Sequence, residues 1–288
     1  MTPKAARVAQ VRPWLEEATA ILADAGVASP GHDAQQLAVD GVGLPRAGLS
    51  SVTDPGPQYW ALLQRRARRE PLQHLLGRAW FRHVEVAVGP GVFVPRPETE
   101  VVTAAAIDEA RAVAAGGTQP VVVDLGTGTG VIALSVAHEV PHAVVHAVEA
   151  DDDALTWARR NIEGSRVVLH HADLATALDD LAGQVHVVIS NPPYIPPDGV
   201  PVDPEVREHD PARALYGSGP DGLGEVRSVI ATARRLLVGG GLVVIEHAES
   251  QGEAVLRLLR DSWVEAAGHL DLTGRPRFVT ARLPARQP

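Results

Sequence analysis

With 288 residues, 45% of them hydrophobic, the chain can bury the cores of two modest domains. Its net charge of −9 argues against a broad electrostatic footprint for nucleic acid, and no apolar run is long enough to span a bilayer. The absence of cysteine excludes disulfides, zinc ribbons and iron–sulfur clusters, and with them radical methyl transfer and thiolate attack on cytosine C5.

The N-terminus lacks the apolar core of a signal peptide, so a cytoplasmic protein is expected. Residues 1–75 read as helices broken by Gly and Pro. Residues 11–26 carry apolar side chains at helical spacing and end on Gly26, and residues 33–43 repeat the pattern. No catalytic grouping occurs there, which fits a small helical bundle that recognises the substrate. Near its end, Arg65, Arg66, Arg68 and Arg69 form a basic run. Helical spacing spreads them over a solvated face; the functional reading is a docking site for an acidic partner or RNA. Residues 81–94 alternate and contain Gly89-Pro90-Gly91, which predicts a hairpin linker.

Beyond residue 100 the pattern becomes α/β. The apolar strand Val121-Val122-Val123-Asp124-Leu125 runs into Gly126-Thr127-Gly128-Thr129-Gly130, and residues 131–137 then read as a helix. Glycines let the backbone turn tightly and approach a ligand, and the helix N-terminus favours polar or anionic groups. A strand over 143–148 ends at Glu149, about 20 residues past the glycines, where a carboxylate can bind both hydroxyls of a ribose. NAD and S-adenosylmethionine both suit such a loop; the G-x-G-x-G spacing favours the methyl donor. Asp151, Asp152 and Asp153 read as caps of a helix over 154–162 rather than metal ligands. The twelve histidines show no tight ligand spacing, so no metal is expected, and His170, His171 and His186 read as structural. A strand over 166–170 leads to Asp173-Leu174, where Asp173 either accepts from an adenine amino group or caps a helix.

Residues 185–190 read as a strand buried on both faces, followed by Asn191-Pro192-Pro193-Tyr194. Two prolines cannot continue a central strand, so the tetrapeptide lies on a loop at the carboxyl edge of the sheet, where open α/β folds bind ligands. The Asn191 side-chain carbonyl and the Pro192 backbone carbonyl can accept both hydrogens of a planar –NH2, while Tyr194 lays its ring against the group that carries it. Such a nitrogen is a poor nucleophile because its lone pair is delocalised. Two acceptors that favour its pyramidal form address that directly.

In this order the residues resemble the release-factor glutamine methyltransferases of the HemK/PrmC type. The resemblance is carried by Asp33-Ala34-Gln35-Gln36-Leu37, by residues 71–77, by residues 92–100 (Val92-Phe93-Val94-Pro95-Arg96-Pro97-Glu98-Thr99-Glu100), and by the glycine loop. Asn191 to Tyr194, Asp221-Gly222-Leu223 and residues 271–277 complete it. Asn-Pro-Pro-Tyr alone is shared with adenine N6 methyltransferases, and the 92–100 signature separates the two. The resemblance implies an N-terminal helical recognition domain over 1–76, a hairpin linker over 77–100, and a seven-stranded Rossmann-like class I S-adenosylmethionine-dependent methyltransferase domain over 101–288. It implies methylation of the side-chain nitrogen, N5, of the glutamine in the Gly-Gly-Gln motif of class 1 peptide release factors. Carried over by position, Asp124, Gly126, Thr127, Gly128, Thr129, Gly130, Glu149, Asp173, Leu174 and Asn191 would hold the cofactor. Asn191, Pro192, Pro193 and Tyr194 would hold the glutamine with Phe93 closing the pocket, and Asn191, Pro192 and Tyr194 would be catalytic. The chain departs from the family where Glu246-His247-Ala248-Glu249-Ser250-Gln251 lacks a usual glycine and where Leu174 replaces an aromatic. A cytoplasmic monomer without a nucleic-acid substrate is expected. The alternatives are an adenine N6 methyltransferase and a SAM-binding regulator without turnover.

Overall fold

The computed structural model describes residues 13–285, so the start of the helix expected over 11–26 lies outside the described residues. The chain divides into two compact units, Met1–Gly77 with Asp203–His209, and Arg78–Val202 with Asp210–Pro288.

The first unit contains α1 (Pro13–Asp24), α2 (Pro30–Gln36), α3 (Pro57–Ala67) and α4 (Leu72–Leu76). Proline opens α1, α2 and α3, where its missing N–H has no helical acceptor to lose. Leu22, Leu37, Tyr59 and Leu63 fill the core. The Tyr59 hydroxyl donates to the Ala34 carbonyl at 3.1 Å, and the Tyr59 ring packs edge-on to Trp14 and Trp60. The arginine run is the solvated face that its spacing predicts only at Arg65 and Arg68, which are exposed. Arg66 is buried, with Nε donating to Asp33 at 2.8 Å and Nη1 to Glu205. Arg69 grips both oxygens of Glu205, at 2.9 and 2.7 Å. Burial alone would raise the Glu205 carboxyl, but the bonds from Arg69 and Arg66 override it and hold it far below the usual carboxylate range. Glu205 lies 139 residues beyond Arg66, so no local pattern could expose the pairing.

The second unit opens with a hairpin of β1 (Arg78–Phe81) and β2 (Val84–Ala87), followed by α5 (Pro97–Ala115). The hairpin turns at Arg82, which adopts φ +50°, so Gly89-Pro90-Gly91 follows the hairpin instead of forming its turn. Those residues pack elsewhere: a Cβ on Gly89 would lie 2.7 Å from the Trp157 ring, whose Nε1 donates to the Pro90 carbonyl. Next come β3 (Val121–Leu125), α6 (Val131–Glu139), β4 (Val144–Glu149), α7 (Asp152–Ile162), β5 (Val168–His171) and β6 (Val185–Ser190). Asp151 caps α7 as its position predicts, its Oδ1 accepting from the Asp153 and Ala154 N–H groups. After β6 the chain forms α8 (Pro204–His209), the later segment of the first unit. It then runs through α9 (Ala212–Leu215), α10 (Gly224–Leu236), β7 (Leu237–Glu246), α11 (Gly252–Leu259), β8 (Val264–Leu270) and β9 (Pro276–Arg282).

The expected seven-stranded sheet has the order β5-β4-β3-β6-β7-β9-β8, parallel from β5 to β7 and antiparallel at β9 and β8. Its two faces bury separate cores; Val122 and Ile189 point to one, Val123 and Val188 to the other. Each such side chain contributes roughly 1.5–3 kcal/mol, so the strands form a rigid base for the loops at their ends. The order reverses between β3 and β6, and Leu125 pairs with Ser190 there. The glycine loop and the Asn191–Tyr194 loop therefore leave the sheet side by side.

Candidate active site at the carboxyl edge of the sheet

At the end of β3, the Gly126 and Thr127 N–H groups both donate to the Val148 carbonyl at 2.9 Å. Gly126, Gly128 and Gly130 have φ of +73°, +57° and +84°, a region that side chains disfavour. A Cβ on Gly126 or Gly128 would face open space, whereas one on Gly130 would press on Ile162 at 3.0 Å. The first two glycines border a cradle and the third permits helix packing. Asp124 lies wholly buried beneath them. Its Oδ2 accepts from the Thr127 hydroxyl and from the Ala133 N–H, while Oδ1 is buried without a partner. Burial pushes this carboxyl up to about 7. Thr127 and Thr129 are also buried, so these three residues brace the loop from below. Asn161, which the sequence reading passes over, ties the loop to the hairpin: its Nδ2 donates to the Thr129 and Ala87 carbonyls.

Glu149 ends β4 in a fixed orientation. Its Oε2 accepts from Gly128 N–H at 2.8 Å, and its Oε1 from Ala150 and Asp151, each at 2.9 Å. Three of the roughly four acceptor positions of an ionised carboxylate are thus used, leaving about one for a ligand hydroxyl. Asp173 is exposed, and its Oδ1 accepts from Ala175 N–H at 2.8 Å. No helix starts at Leu174; residues 173–176 form a turn, so the helix-cap alternative for Asp173 does not hold. Leu174 packs against the core on the same face as Val188.

The Asn191–Tyr194 loop is held from several sides. Asn191 Nδ2 donates to the Thr99 hydroxyl at 3.4 Å. The Tyr194 carbonyl accepts from Gln251 Nε2 at 2.7 Å, which also donates to the Asp221 carbonyl at 3.1 Å, while Gln251 Oε1 accepts from Ala248 N–H. Gly222 lies so close that a Cβ there would sit 2.6 Å from the Tyr194 carbonyl. The Asp221-Gly222-Leu223 motif is therefore a seat for the loop. Burial, with Glu246 nearby, raises the Tyr194 phenol well above its ordinary value, while the positive charge of Arg277 acts the other way. The ring stays neutral at ordinary pH. Phe93 is half-buried beneath the Arg96 guanidinium, 5.2 Å from its ring centre, and Arg96 binds Asp210 at 2.6 Å.

Glu246, buried at the end of β7, stands with Thr99, Gln251 and Arg277 inside the family motifs, yet the sequence reading gives none of the four a role. A carboxylate closing an apolar strand is the signal that singled out Glu149, and it applies equally to Glu246.

Comparison with known proteins gives a consistent picture. Residues 96–202 match the methyltransferase small domain, and residues 13–77 match the PrmC N-terminal domain. The release factor glutamine methyltransferase of Streptomyces coelicolor is 54% identical over 92% of this chain and 95% of its own length. That of Mycolicibacterium smegmatis is 44% identical over 96% and 99%, and that of Deinococcus radiodurans 39% over 95% and 98%. Among solved structures, the hMettl16 catalytic domain in complex with a MAT2A 3'UTR hairpin superposes with a TM-score of 0.53 at 15% identity, covering 70% of this chain and 76% of that one. This last likeness shows a shared fold.

Proposed function

The chain belongs to the release factor glutamine methyltransferase family, and from that premise we propose that it methylates N5 of the glutamine in the Gly-Gly-Gln loop of class 1 peptide release factors. It is an enzyme that uses S-adenosylmethionine. The observation that carries the reading is the pairing of Leu125 with Ser190, which sets the glycine cradle beside Asn191 and Pro192.

The residues suit this cofactor. Gly126 and Gly128 border open space, and the fixed Glu149 carboxylate keeps an acceptor position for a ribose hydroxyl. Asp173 and Leu174 lie beyond β5, next to β4, where an adenine would extend. When bound, S-adenosylmethionine supplies an electrophilic sulfonium methyl, so the nitrogen needs alignment more than a strong base. Asn191 Oδ1 and the Pro192 carbonyl accept the two amide hydrogens and favour the pyramidal nitrogen of the transition state. The neutral Tyr194 ring and Pro193 pack against the amide plane, and Phe93 closes the far side. The nitrogen is strongly acidic once methylated and releases its proton to water.

The first unit would recognise the release factor, since its described residues form helices with no catalytic grouping. Arg66 and Arg69 are occupied by the chain's own carboxylates, so other surface would serve this role. No helix among the described residues is long and apolar enough to cross a membrane, and the reading takes the enzyme as a cytoplasmic monomer. Purified protein incubated with methyl-labelled S-adenosylmethionine and an intact release factor should label that factor and leave DNA and RNA unlabelled. Labelled adenine, or no turnover at all, would overturn the proposal.

A further inference from the structure

We propose that Gln251 is a positioning residue for the methyl transfer, its side-chain amide fixing the peptide that follows Tyr194 and hence the Tyr194 ring. This rests on the reading of the Asn191–Tyr194 loop as the seat of the substrate amide. Tyr194 stands four residues beyond the end of β6, out of reach of the strand ladder. The two prolines before it have no N–H with which to anchor the turn. The peptide is planar, so holding its carbonyl also sets the direction of the Tyr194 side chain.

Gln251 immediately precedes α11 and is 7% exposed, which leaves little water to take its place. Its Nε2 carries two hydrogens and directs both at backbone carbonyls, Tyr194 at 2.7 Å and Asp221 at 3.1 Å. Its Oε1 accepts from the Ala248 N–H at 3.1 Å. A backbone carbonyl only accepts and a backbone N–H only donates, so these partners admit a single orientation of the amide. Reversed, Oε1 would face two carbonyls and Nε2 would face a donor.

The partners of Gln251 are held in their turn. The Asp221 carboxylate accepts from the Leu223 N–H at 3.1 Å and from both terminal nitrogens of Arg227 in α10, at 3.0 and 2.5 Å. The Ala248 carbonyl faces His247 Nδ1 at 2.8 Å, and the His247 N–H donates to the Arg277 carbonyl at 2.9 Å. None of residues 246–251 has a positive φ, so the clamp does without the glycine that this segment lacks. On the far side of Tyr194, the Ile195 N–H donates to the Leu215 carbonyl at 2.9 Å. One amide therefore joins three connections: those that follow β6, precede α10 and follow β7.

Gln251→Glu keeps the shape of the side chain but has no hydrogen on its ionised carboxylate, so it separates the two donors from mere volume. Gln251→Met removes the donors without adding a charge. The test measures both variants as full chains, with S-adenosylmethionine and an intact release factor as substrates. In each, kcat should fall about 10- to 100-fold, the cost of a misplaced reacting group. The dissociation constant for S-adenosylmethionine, from calorimetry, should be unchanged, because the glycine cradle and Glu149 lie at the ends of β3 and β4. Lowering the pH should return part of the Gln251→Glu loss relative to wild type, since a protonated carboxyl regains one donor; Gln251→Met should show no such return. If the charged variant fails to fold, Gln251→Met carries the comparison of kcat with affinity. Near-normal kcat in either variant, or kcat and cofactor affinity falling together, would overturn the positioning role alone. A wild-type enzyme that leaves the release factor unlabelled would overturn the reading of the site, and this proposal with it.

Discussion

The Ser190 hydroxyl donates to the Leu125 carbonyl at 2.6 Å, which ties the last residue of β6 to the last residue of β3. Gly126 follows one of these residues and Asn191 the other. This bond between wholly buried strand ends reinforces the strand pairing that sets the glycine cradle beside the two carbonyl acceptors. Ser190→Ala should destabilise the fold by about 1–3 kcal/mol, depending on how far the Leu125 carbonyl is left unsatisfied. It should also lower kcat, since the loops lose their common anchor. Urea unfolding together with turnover measurements checks this; unchanged values of both would mean that the strand ladder alone aligns the loops.

Glu149→Gln keeps the side-chain shape but replaces one acceptor oxygen by a donor. The carboxylate already receives three backbone N–H groups, so the change disturbs the cradle as well as any ribose contact. The dissociation constant for S-adenosylmethionine should rise by about 1.5–3 kcal/mol, the range of charge-assisted bonds. Calorimetry showing unchanged affinity would remove Glu149 from the cofactor site.

Asp124 gives stability a definite pH dependence. Its carboxyl is raised to about 7 in the folded chain, against about 3.9 when unfolded, so the folded state holds its proton over that interval. The stability it contributes is present in full below about pH 4 and is lost as pH rises through about 7. Asp124→Asn cannot ionise. Its Tm relative to the wild type should therefore become more favourable between about pH 4 and 8. A constant difference across that range would show that Asp124 is already ionised in the folded protein.

Deleting residues 1–77 removes Arg66 and Arg69 and leaves Glu205 without its partners, while every strand of the sheet remains. The fragment should bind S-adenosylmethionine with near-normal affinity but show a much lower kcat/KM for an intact release factor. Equal activity of the fragment and the full chain at low release-factor concentration would assign the helical unit another role.

What could be read from the sequence was local in its cause. The glycine loop, the Asp151 cap and the end of β6 at two prolines each follow from a few adjacent residues. Arg66 and Arg69 were misread because Glu205 reaches them from far along the chain. The position of the hairpin turn was not legible because Arg82 occupies a positive-φ position where glycine is the usual signal, and Gly89 packs against the Trp157 ring. Thr99 and Asn191 lie 92 residues apart and meet only because α5 docks beside the end of β6, which no spacing within one motif reveals.

The central claim is the identity of the methyl acceptor. A glutamine amide and an adenine both present a planar –NH2, and Asn191 with Pro192 can accept from either. Adenine, however, must be flipped from its stack and needs basic surface for the flanking phosphates. The chain carries a net charge of −9, and two arginines of its basic run are committed internally. The most direct measurement is peptide mapping of a release factor after reaction with this enzyme, beside a factor whose Gly-Gly-Gln glutamine is replaced by alanine. A single methyl group on that glutamine, and none on the alanine variant, is the predicted result. Methylation of the alanine variant, or efficient transfer to nucleic-acid adenine with the loop unmodified, would contradict it.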